Sequence, residues 1–572
     1  MRRRAPPGRY CLTMALCAGL GLALCSPAAL AQSPQGGGVP IPTLADGATI
    51  GQVRVTLADD GRNPARGRAA AARLGETLRD LEGRSFSRGL VERRLAAARA
   101  RLGVGRIDYR LLPSPRPSEV ALAVEIDLST TTPARPQPLT LIQNDRLYLT
   151  AILAGGFGVY SDPNVWFGRP DLFLNRNPLA GRRPGRAPVW TEGFVEFGLA
   201  GAAQLGDSPF YLYGALTGLT SWSLGQDFFR ADARSVTGVE KAYGGLIYVD
   251  PTTGNSLNVS LGRQTVTVND GFLIHFVRGA ANAGVRGASY IGARTANDFS
   301  VVGDGRMGPL SFKAFYIDPN ELPLVDSRST FAGLNLRYAI TPTLSVDASY
   351  ITVPQSTSTS ATPDGRRLPR EGLQTVAGGL RWNQAFGVEG MWLASEIAHQ
   401  THDRYAMSAW AGYGLIGYQA SHLPWSPSLS YRYSYASGDN PSTPRYERFD
   451  SLLSTGLGNW LQGVVFGKVT SNANLAVHRL QFNLQPTPAL NVTFDWHLLR
   501  APERNNLGSN PAISQLTSPD IGQEFSLTGR WAMNRNLYLQ TIASVGVPGK
   551  ALRDVGATRA WTTVQASLYW TY

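Results

Sequence analysis

The chain has 572 residues, of which 43% are hydrophobic and 17% charged, and it is rich in glycine (62 residues) and aromatic side chains (10%). Its formal net charge is +13, and its three cysteines, Cys11, Cys17 and Cys25, all lie near the N-terminus. Beyond them the sequence excludes a disulfide framework, a thiolate nucleophile and a cysteine-ligated metal. It also lacks an apolar run of the roughly 20 residues that a membrane-spanning helix needs.

The first 31 residues have the three parts of a secretory signal peptide. Four arginines (Arg2–Arg4 and Arg9) precede an apolar stretch at residues 12–24 and the small-x-small sequence Ala29-Leu30-Ala31. We predict residues 1–31 to be a signal peptide, which leaves a charge of 13 − 4 = +9 on the remainder. This positive charge either reflects a genome that favours arginine codons or favours a polyanionic cargo and contact with lipopolysaccharide. We expect no nucleic-acid partner.

Residues 49–128 are predicted to form a small α+β domain between two linkers, 32–48 and 129–144. The predicted elements are strands at Ile50–Leu57, Val104–Leu112 and Glu119–Leu128, with helices at Arg66–Leu81 and Ser87–Leu102. The order β-α-α-β-β resembles a POTRA domain, and "EGRSFSRGLVERRLAAARARLG" resembles the second helix of that module. The resemblance implies a periplasmic domain whose exposed strand edge docks a partner. The alternative is an unrelated α+β plug or cap.

From residue 145 to residue 572 the sequence consists of strands and turns, and we predict about eighteen antiparallel strands of an outer-membrane β-barrel. The strands are predicted to begin near Arg146, Val189, Pro209, Val239, Ser256, Asn297, Leu310, Ser329, Leu344, Leu373, Gly387, Arg404, Pro427, Asn474, Leu490, Gly522, Leu537 and Trp561. Connections after odd strands are mostly long and those after even strands mostly tight. Outer-membrane barrels show this alternation, with the long loops outside the cell.

The segment Trp561–Tyr572 gives the clearest strand signal. Apolar residues alternate with polar ones over about ten positions, the length of one tilted bilayer crossing. An uncovered strand with such an apolar face would be an aggregation site in a soluble protein. We expect this strand, ending at Tyr572, to close the barrel and to be recognised by the barrel-assembly machinery in a membrane of lipid and lipopolysaccharide.

Strand alternation also predicts which charged side chains line the lumen. If the apolar face of each strand contacts lipid, ten charged residues point inward: Arg337, Arg381, Arg432, Arg479, Arg530, Glu192, Glu196, Asp347, Asp495 and Glu524. A midplane arginine facing lipid would cost about 2–4 kcal/mol. These residues either pair with one another inside the lumen or provide a row of guanidinium groups that a polyanion slides along through weak, repeated contacts.

Three stretches resemble the alginate-export family of outer-membrane barrels. The first, "SLGRQTVTVNDGFLIHFVRGAANAGVRGASYIGARTAND", contains the matching residues Gly262, Arg263, Gln264 and Asp270. The second, "YASGDNPSTPRYERFDSLL", contains Asp439 and Asp450, and the third, "GQEFSLTGRWAMNRNLYLQTIASVGVPGKAL", contains Glu524. The resemblance implies passive export of an acidic polysaccharide through an arginine-lined pore, without cofactor.

The sequence offers little support for catalysis. It contains no G-x-S-x-G, H-E-x-x-H or phosphate-binding loop, so we predict no catalytic residues, no metal and no cofactor. His399 and His402 lie three residues apart in a predicted loop, where solvated histidines are commoner than metal ligands.

The favoured hypothesis is an outer-membrane pore that exports a polymer, specifically an anionic, alginate-like exopolysaccharide. A second hypothesis is a two-partner-type protein translocator, which joins POTRA domains to a sixteen-stranded barrel with an inward V-R-G-[YF] loop. Here "FVRGAANAGVRGASY" contains V-R-G twice, without the aromatic residue directly after it. The third is a nutrient-uptake porin, for which a periplasmic N-terminal domain would be superfluous.

Overall fold

The computed structural model describes residues 49–59, 64–82, 86, 91, 94–95, 98, 106–113, 119–127, 139–144, 146–166, 188–227, 233–250, 253, 255–275, 286–323, 326–454, 460–487, 489–505, 516–534, 536–554 and 556–572. The predicted signal peptide, the linker at 32–48 and most of the linker at 129–144 lie outside these ranges.

The N-terminal domain contains a three-stranded sheet and a helix packed on it. Its elements are β1 (Thr49–Asp59), α1 (Pro64–Leu78), a 3-10 turn (Arg79–Leu81), β2 (Arg106–Pro113) and β3 (Glu119–Asp127). The sheet order is β1-β3-β2, with β1 parallel and β2 antiparallel to the central strand. Proline at the first position of α1 suits a helix start, because its missing N–H has no partner there anyway.

The core of this domain follows the predicted amphipathic pattern. Leu74 and Leu78 of α1 are buried against Val120, Leu122 and Val124 of the central strand. On the predicted second helix, the described positions Val91, Leu95 and Ala98 are helical and buried in the same core. The POTRA-like identity of the domain remains a prediction.

The rest of the chain forms a closed antiparallel barrel. Its elements are β4 (Thr140–Gln143), β5 (Leu147–Ser161), β6 (Val189–Gln204), β7 (Phe210–Gly225), β8 (Arg234–Val249), β9 (Ser256–Arg263), β10 (Phe299–Met307), β11 (Leu310–Asp318), β12 (Thr330–Ala339), β13 (Leu344–Gln355), a hairpin of β14 (Thr359–Ala361) and β15 (Arg367–Pro369), β16 (Leu373–Asn383), β17 (Met391–His402), β18 (Ala409–Gln419), β19 (Ser428–Ala436), β20 (Leu475–Thr487), β21 (Leu490–Arg500), β22 (Asp520–Ala532), β23 (Leu537–Pro548), α2 (Lys550–Asp554) and β24 (Trp561–Thr571). The nine strands β5–β13 and the nine strands β16–β24 make eighteen spanning strands, as predicted.

The barrel closes between β24 and β5. The two strands pair from Val564 opposite Ser161 to Thr571 opposite Ala154, and the backbone N–H of Tyr572 donates to Leu153 O at 2.9 Å. The short β4 pairs with the beginning of β5. The predicted linker 129–144 thus contains a strand at its end. Closure leaves the spanning strands without a free edge, which is the condition for a sheet in lipid.

The outer surface of the barrel is apolar and aromatic. Leu216, Val376, Ile397, Leu527 and Val564 are all more than half exposed. They alternate along their strands with buried polar residues, as expected for a barrel with lipid outside and polar groups inside. The predicted alternation of short and long connections is also present: residues 308–309 and 340–343 are tight turns at one end, whereas the connections between β9 and β10 and between β19 and β20 are long loops at the other.

Three strand starts differ from the prediction. Strand β8 begins at Arg234 instead of Val239, because a bulge opposes Glu240 and Lys241 to the single residue Thr217. The bulge reverses the alternation, so the sequence of the first half of β8 does not continue the pattern of the second half. Strands β17 and β18 begin at Met391 and Ala409, later than predicted, because the preceding turns are longer.

Two long loops fold into the barrel and fill part of its interior. The β9–β10 loop comprises residues 264–298, and the β19–β20 loop comprises residues 437–474. Every described residue from 460 to 475 is buried, as are 287–297. The loops meet at Trp460, whose indole N–H donates to Asp270 O at 3.1 Å and whose ring lies 4.7 Å from the Phe272 ring.

Candidate functional site

The inner wall of the barrel carries the charged residues that strand alternation predicts. On β12, Leu334, Leu336 and Tyr338 are exposed on the outer surface, whereas Asn335 between them is buried. The ten predicted residues are all buried or half-buried and lie on the face opposite the exposed apolar side chains: Arg337, Arg381, Arg432, Arg479, Arg530, Glu192, Glu196, Asp347, Asp495 and Glu524. Their role in transport remains a prediction. Nine of them fall into three groups by their contacts, whereas Glu196 pairs with Lys241 within the wall.

The first group is centred on the carboxylate of Asp347. Arg381 Nη1 bonds its Oδ1 at 2.5 Å, and Arg337 Nη2 lies 3.9 Å from the same oxygen. The tip of the β9–β10 loop joins them, because Asn269 donates to Asp347 Oδ2 at 3.0 Å and accepts from Arg337 at 2.7 Å. Asp270 lies 3.8 Å from Arg381. Arginines from two strands are thus held by one wall carboxylate and one loop.

The second group contains two arginines that face each other in register on β19 and β20, Arg432 and Arg479. Arg479 places Nε and Nη2 each 2.8 Å from Asp495 Oδ1. Arg432 Nη2 donates to Gln462 Oε1 at 3.2 Å, and its guanidinium lies 4.4 Å from the centroid of the Trp460 ring. Both of these Arg432 contacts are with side chains of the β19–β20 loop. The second group therefore joins the wall to the β19–β20 loop.

Arg530 and His497 extend this group onto β21 and β22. Arg530 Nη1 donates to Thr493 Oγ1 at 3.1 Å and to Asn491 Oδ1 at 3.4 Å. His497 is 3% exposed, lies opposite Arg479 in register, and neither of its ring nitrogens has a hydrogen-bond partner among the described residues. Sequence reasoning missed His497, although its position two residues after Asp495 gives it the same inward direction.

The third group consists of glutamates that bind the lumen loops. Glu192 Oε2 accepts the backbone N–H groups of Tyr290 and Ile291 at 2.6 and 2.9 Å. Glu524 accepts those of residues 464–466 at 2.5–3.0 Å. Both carboxylates are fully buried, and both were predicted to face the lumen.

A further glutamate was missed because it lies at the bulge in β8. Glu240 Oε1 accepts the N–H groups of Thr295 and Ala296 at 2.7 and 3.0 Å. The neighbouring Lys241 places Nζ 3.3 Å from Glu196, another buried wall carboxylate. In a regular strand one member of the pair Glu240-Lys241 would face lipid, so two adjacent charges are themselves a signal for a bulge.

The described residues show neither a spanning helix nor a metal centre. Within the parts of the chain that the structure describes, no helix is both long and apolar enough to cross a membrane. In the same ranges, no group of three or more His, Cys, Asp or Glu side chains is arranged to hold a metal ion. His399 and His402, predicted to lie in a loop, belong to β17.

The comparison with protein families gives a match that covers more than half of the chain. The model of the alginate export family matches residues 226–564. The chain belongs to the alginate export family. No curated protein matches the sequence.

Similar solved structures are outer-membrane proteins. OccD3 (OpdP) of Pseudomonas aeruginosa is 10% identical with a TM-score of 0.44, covering 76% of this chain and 95% of that one. OccK5 (OpdH) of the same organism is 12% identical with a TM-score of 0.42, covering 74% and 97%. Salmonella typhi OmpF in complex with daunomycin is 10% identical with a TM-score of 0.37, covering 75% and 99%. At these identities and TM-scores the likeness carries no information on cargo.

Membership of the alginate export family, together with the closed barrel, identifies an outer-membrane pore for export and places it in the bacterial outer membrane. The family is one of channels rather than of enzymes. The site is accordingly a passage through the barrel, whose chemistry is that of reversible contact with a cargo.

The residues that resemble the alginate export family sequence at "GRQ" shape the entry of the β9–β10 loop into the barrel. Gly262 has φ +119°, and a Cβ at this position would lie 2.3 Å from Ala242 O. Arg263 pairs with Asp298 at the other end of the loop. Gln264 accepts the backbone N–H of Asn297 at 3.0 Å through its carbonyl oxygen. The motif therefore fastens the two ends of the loop to each other.

The other family-motif residues fasten loops at the same end of the barrel. Asp270 accepts the Tyr413 hydroxyl at 2.5 Å, and Asp439 accepts the backbone N–H of Glu447 at 2.9 Å. Asp450 accepts hydrogen bonds from Nε and Nη2 of Arg370, at 2.8 and 2.6 Å. The Asp270 contact joins a loop to the wall, the Asp450 contact joins two loops, and the Asp439 contact lies within the β19–β20 loop.

Proposed function

We propose that the cargo of this pore is an anionic, alginate-like exopolysaccharide, which leaves the cell passively through the part of the lumen lined by Arg432, Arg479 and Arg530. The observation that carries the proposal is that Arg432 and Arg479 face each other in register on neighbouring strands, so that two arginines occupy adjacent positions of the inner wall.

The arginines of this region support an anionic cargo. Three guanidinium groups lie on the neighbouring strands β19–β22, where Asp495 binds Arg479. Glu524 is occupied by three backbone N–H groups. A guanidinium fork matches the geometry of a uronate carboxylate and binds it through two hydrogen bonds. Contacts of this kind, repeated and individually weak, let a polymer enter and leave.

The two other cargo classes fit the observations less well. A two-partner-type protein translocator is expected to have sixteen strands, whereas this barrel has eighteen. A nutrient porin has no use for the N-terminal α+β domain, which we propose to be a POTRA-like periplasmic module that docks a partner of the export machinery.

The test is single-channel conductance of the refolded full chain in planar bilayers, with uronate oligomers and neutral glucans titrated as blockers. We expect anion-selective current that uronates block and glucans do not, with block weakened in Arg432→Glu and Arg381→Glu. Arg146→Glu is the matched control, because it makes the same charge change at an exposed residue, which pairs with Asp207. Equal block by glucans and uronates, or no effect of the lumen substitutions, would contradict the proposal.

A further inference from the structure

Three buried glutamates of the barrel wall hold the lumen loops in the same way. Each accepts hydrogen bonds from consecutive backbone N–H groups: Glu192 from residues 290–291, Glu240 from 295–296 and Glu524 from 464–466. Consecutive N–H groups that converge on one point form a concave anion-binding site, known elsewhere as a nest. Here the anion is supplied by the protein itself.

The chemistry of the loops explains why a carboxylate is used. The residues around these N–H groups are apolar and buried, including Ile291, Ala296, Val465 and Phe466, each with no exposed surface. A buried N–H without a partner is costly, and a single carboxylate satisfies two or three at once. The hydrogen bonds are charge-assisted, which makes them about twice as strong as neutral ones.

Serine hydroxyl groups of the wall also bind two of these glutamates, Glu524 and Glu192. Ser526 and Ser544 donate to Glu524 Oε1 at 3.0 and 2.5 Å. Ser223 donates to Glu192 Oε1 at 3.2 Å and accepts the backbone N–H of Ala288 at 2.7 Å. The glutamates are therefore fixed from the wall side as well, and the loop position is determined by strands β6, β7, β8, β22 and β23.

We infer that Glu192, Glu240 and Glu524 are positioning residues that make the two lumen loops permanent walls of the export passage, so that cargo moves beside these loops without displacing them. The inference concerns the pore itself and holds whichever polymer passes through it. Its failure is therefore distinguishable from a failure of the anionic-cargo proposal, which the blocker titration tests.

The experiment compares Glu192→Gln, Glu240→Gln and Glu524→Gln with the control Asp520→Asn. Asp520 begins β22, the strand of Glu524, and its carboxylate accepts the backbone N–H of Lys550, which lies outside both lumen loops. With Cys11, Cys17 and Cys25 changed to serine, Ile291→Cys or Val465→Cys introduces a single cysteine that reports on one loop each. The probe is a membrane-impermeant methanethiosulfonate applied to the full chain reconstituted in vesicles.

We expect slow labelling of both cysteines and steady single-channel current in the parent and in Asp520→Asn. Glu192→Gln and Glu240→Gln accelerate labelling at position 291, and Glu524→Gln at position 465, each by roughly tenfold or more, since charge-assisted bonds are lost. The same variants show fluctuating current. A uronate blocker leaves labelling of the parent slow, because the cargo does not displace the loops.

Equal labelling rates in the parent and the three anchor variants would overturn the inference, as would an equal effect of Asp520→Asn. Fast labelling of the parent when a blocker is present would also overturn it. If Glu192→Gln does not fold, Ser223→Ala tests the same anchor more mildly, because it removes one hydrogen bond to Glu192 and one to Ala288; it should accelerate labelling at position 291 only.

Discussion

Lys468, in the β19–β20 loop, places Nζ 2.8 Å from both carboxylate oxygens of Asp162, the residue after β5, and neither side chain has any exposed surface. The ammonium also lies 5.2 Å from the centroid of the Trp561 ring on β24. This pair ties the inward loop to the strand at which the barrel closes. A buried ion pair of this kind is sensitive to the loss of one partner.

Removing one member of this pair should destabilise the barrel strongly. We expect Asp162→Asn to lower the free energy of unfolding by about 3–5 kcal/mol, because it leaves a buried ammonium without its counter-charge. Urea titration of the vesicle-reconstituted protein measures the change. The double variant Lys468→Met with Asp162→Leu should recover most of the loss, since it removes both charges, and a double variant no better than the single one would contradict this account.

Gly262 should not tolerate a side chain. Gly262→Ala combines a φ of +119° with a Cβ 2.3 Å from Ala242 O, so we expect a loss of about 1–3 kcal/mol in the free energy of unfolding. Gly303→Ala on the adjacent strand is the control, because a Cβ there meets no atom within 4 Å. The comparison uses the same urea titration, and similar losses at both positions would show that backbone conformation at Gly262 is not the cause.

Single-charge changes in the second arginine group should shift anion block in opposite directions. Arg432→Gln removes a positive charge, whereas Asp495→Asn removes the carboxylate that binds Arg479. We expect the half-blocking concentration of a uronate oligomer to rise in the first variant and fall in the second, by roughly three- to tenfold at low salt. Raising the ionic strength should shrink both effects, and a shift in the same direction in both variants would exclude a charge mechanism.

Asp439, in the β19–β20 loop just beyond β19, should make stability pH-dependent. Burial raises the pKa of Asp439 above its ordinary value of 3.8, and the hydrogen bond from the Glu447 backbone opposes the change. A raised carboxyl pKa means that the folded state binds this proton more tightly than the unfolded state does. Proton binding therefore stabilises the folded state fully below the ordinary pKa, and this stabilisation is lost as pH rises through the folded-state pKa. Asp439→Asn removes this loss.

The measurement is the difference in free energy of unfolding between Asp439→Asn and the parent, followed from about pH 4 to about pH 7. We expect the difference to move in favour of the asparagine variant as pH rises. A constant difference across this range would show that Asp439 ionises with an ordinary pKa.

The sequence allowed the strands to be predicted because lipid imposes a simple rule on them. Leu334, Leu336 and Tyr338 must face the membrane, so Asn335 and Arg337 between them face inward, and this reasoning needs no knowledge of the neighbouring strands. This reasoning failed at β8, where two residues oppose Thr217 and the inward-facing positions change from even-numbered to odd-numbered.

The interior could not be predicted in the same way, because its contacts join residues far apart in the chain. Glu524 binds N–H groups of residues 464–466, about sixty positions earlier, and nothing in "GNWLQGVVFGKVT" signals that this loop enters the barrel. Strand parity gives the direction of Glu524 but not its partner. Glu240 was missed because it lies at a bulge, whereas His497 was missed although its position two residues after Asp495 gives it the same inward direction.

The bulge in β8 divides this strand into two halves with opposite alternation of inward and outward residues. Up to Glu240 the inward positions of β8 are even-numbered, and from Lys241 onward they are odd-numbered. Arg234 and Ile247 therefore both face the interior. Deleting either residue of the pair would therefore turn one half of the strand inside out, driving Arg234 toward lipid and Val239 into the lumen. The number of residues at this point in β8 is therefore constrained more tightly than their identity. An insertion or deletion here exchanges the inward and outward faces of half the strand, which no point substitution can do.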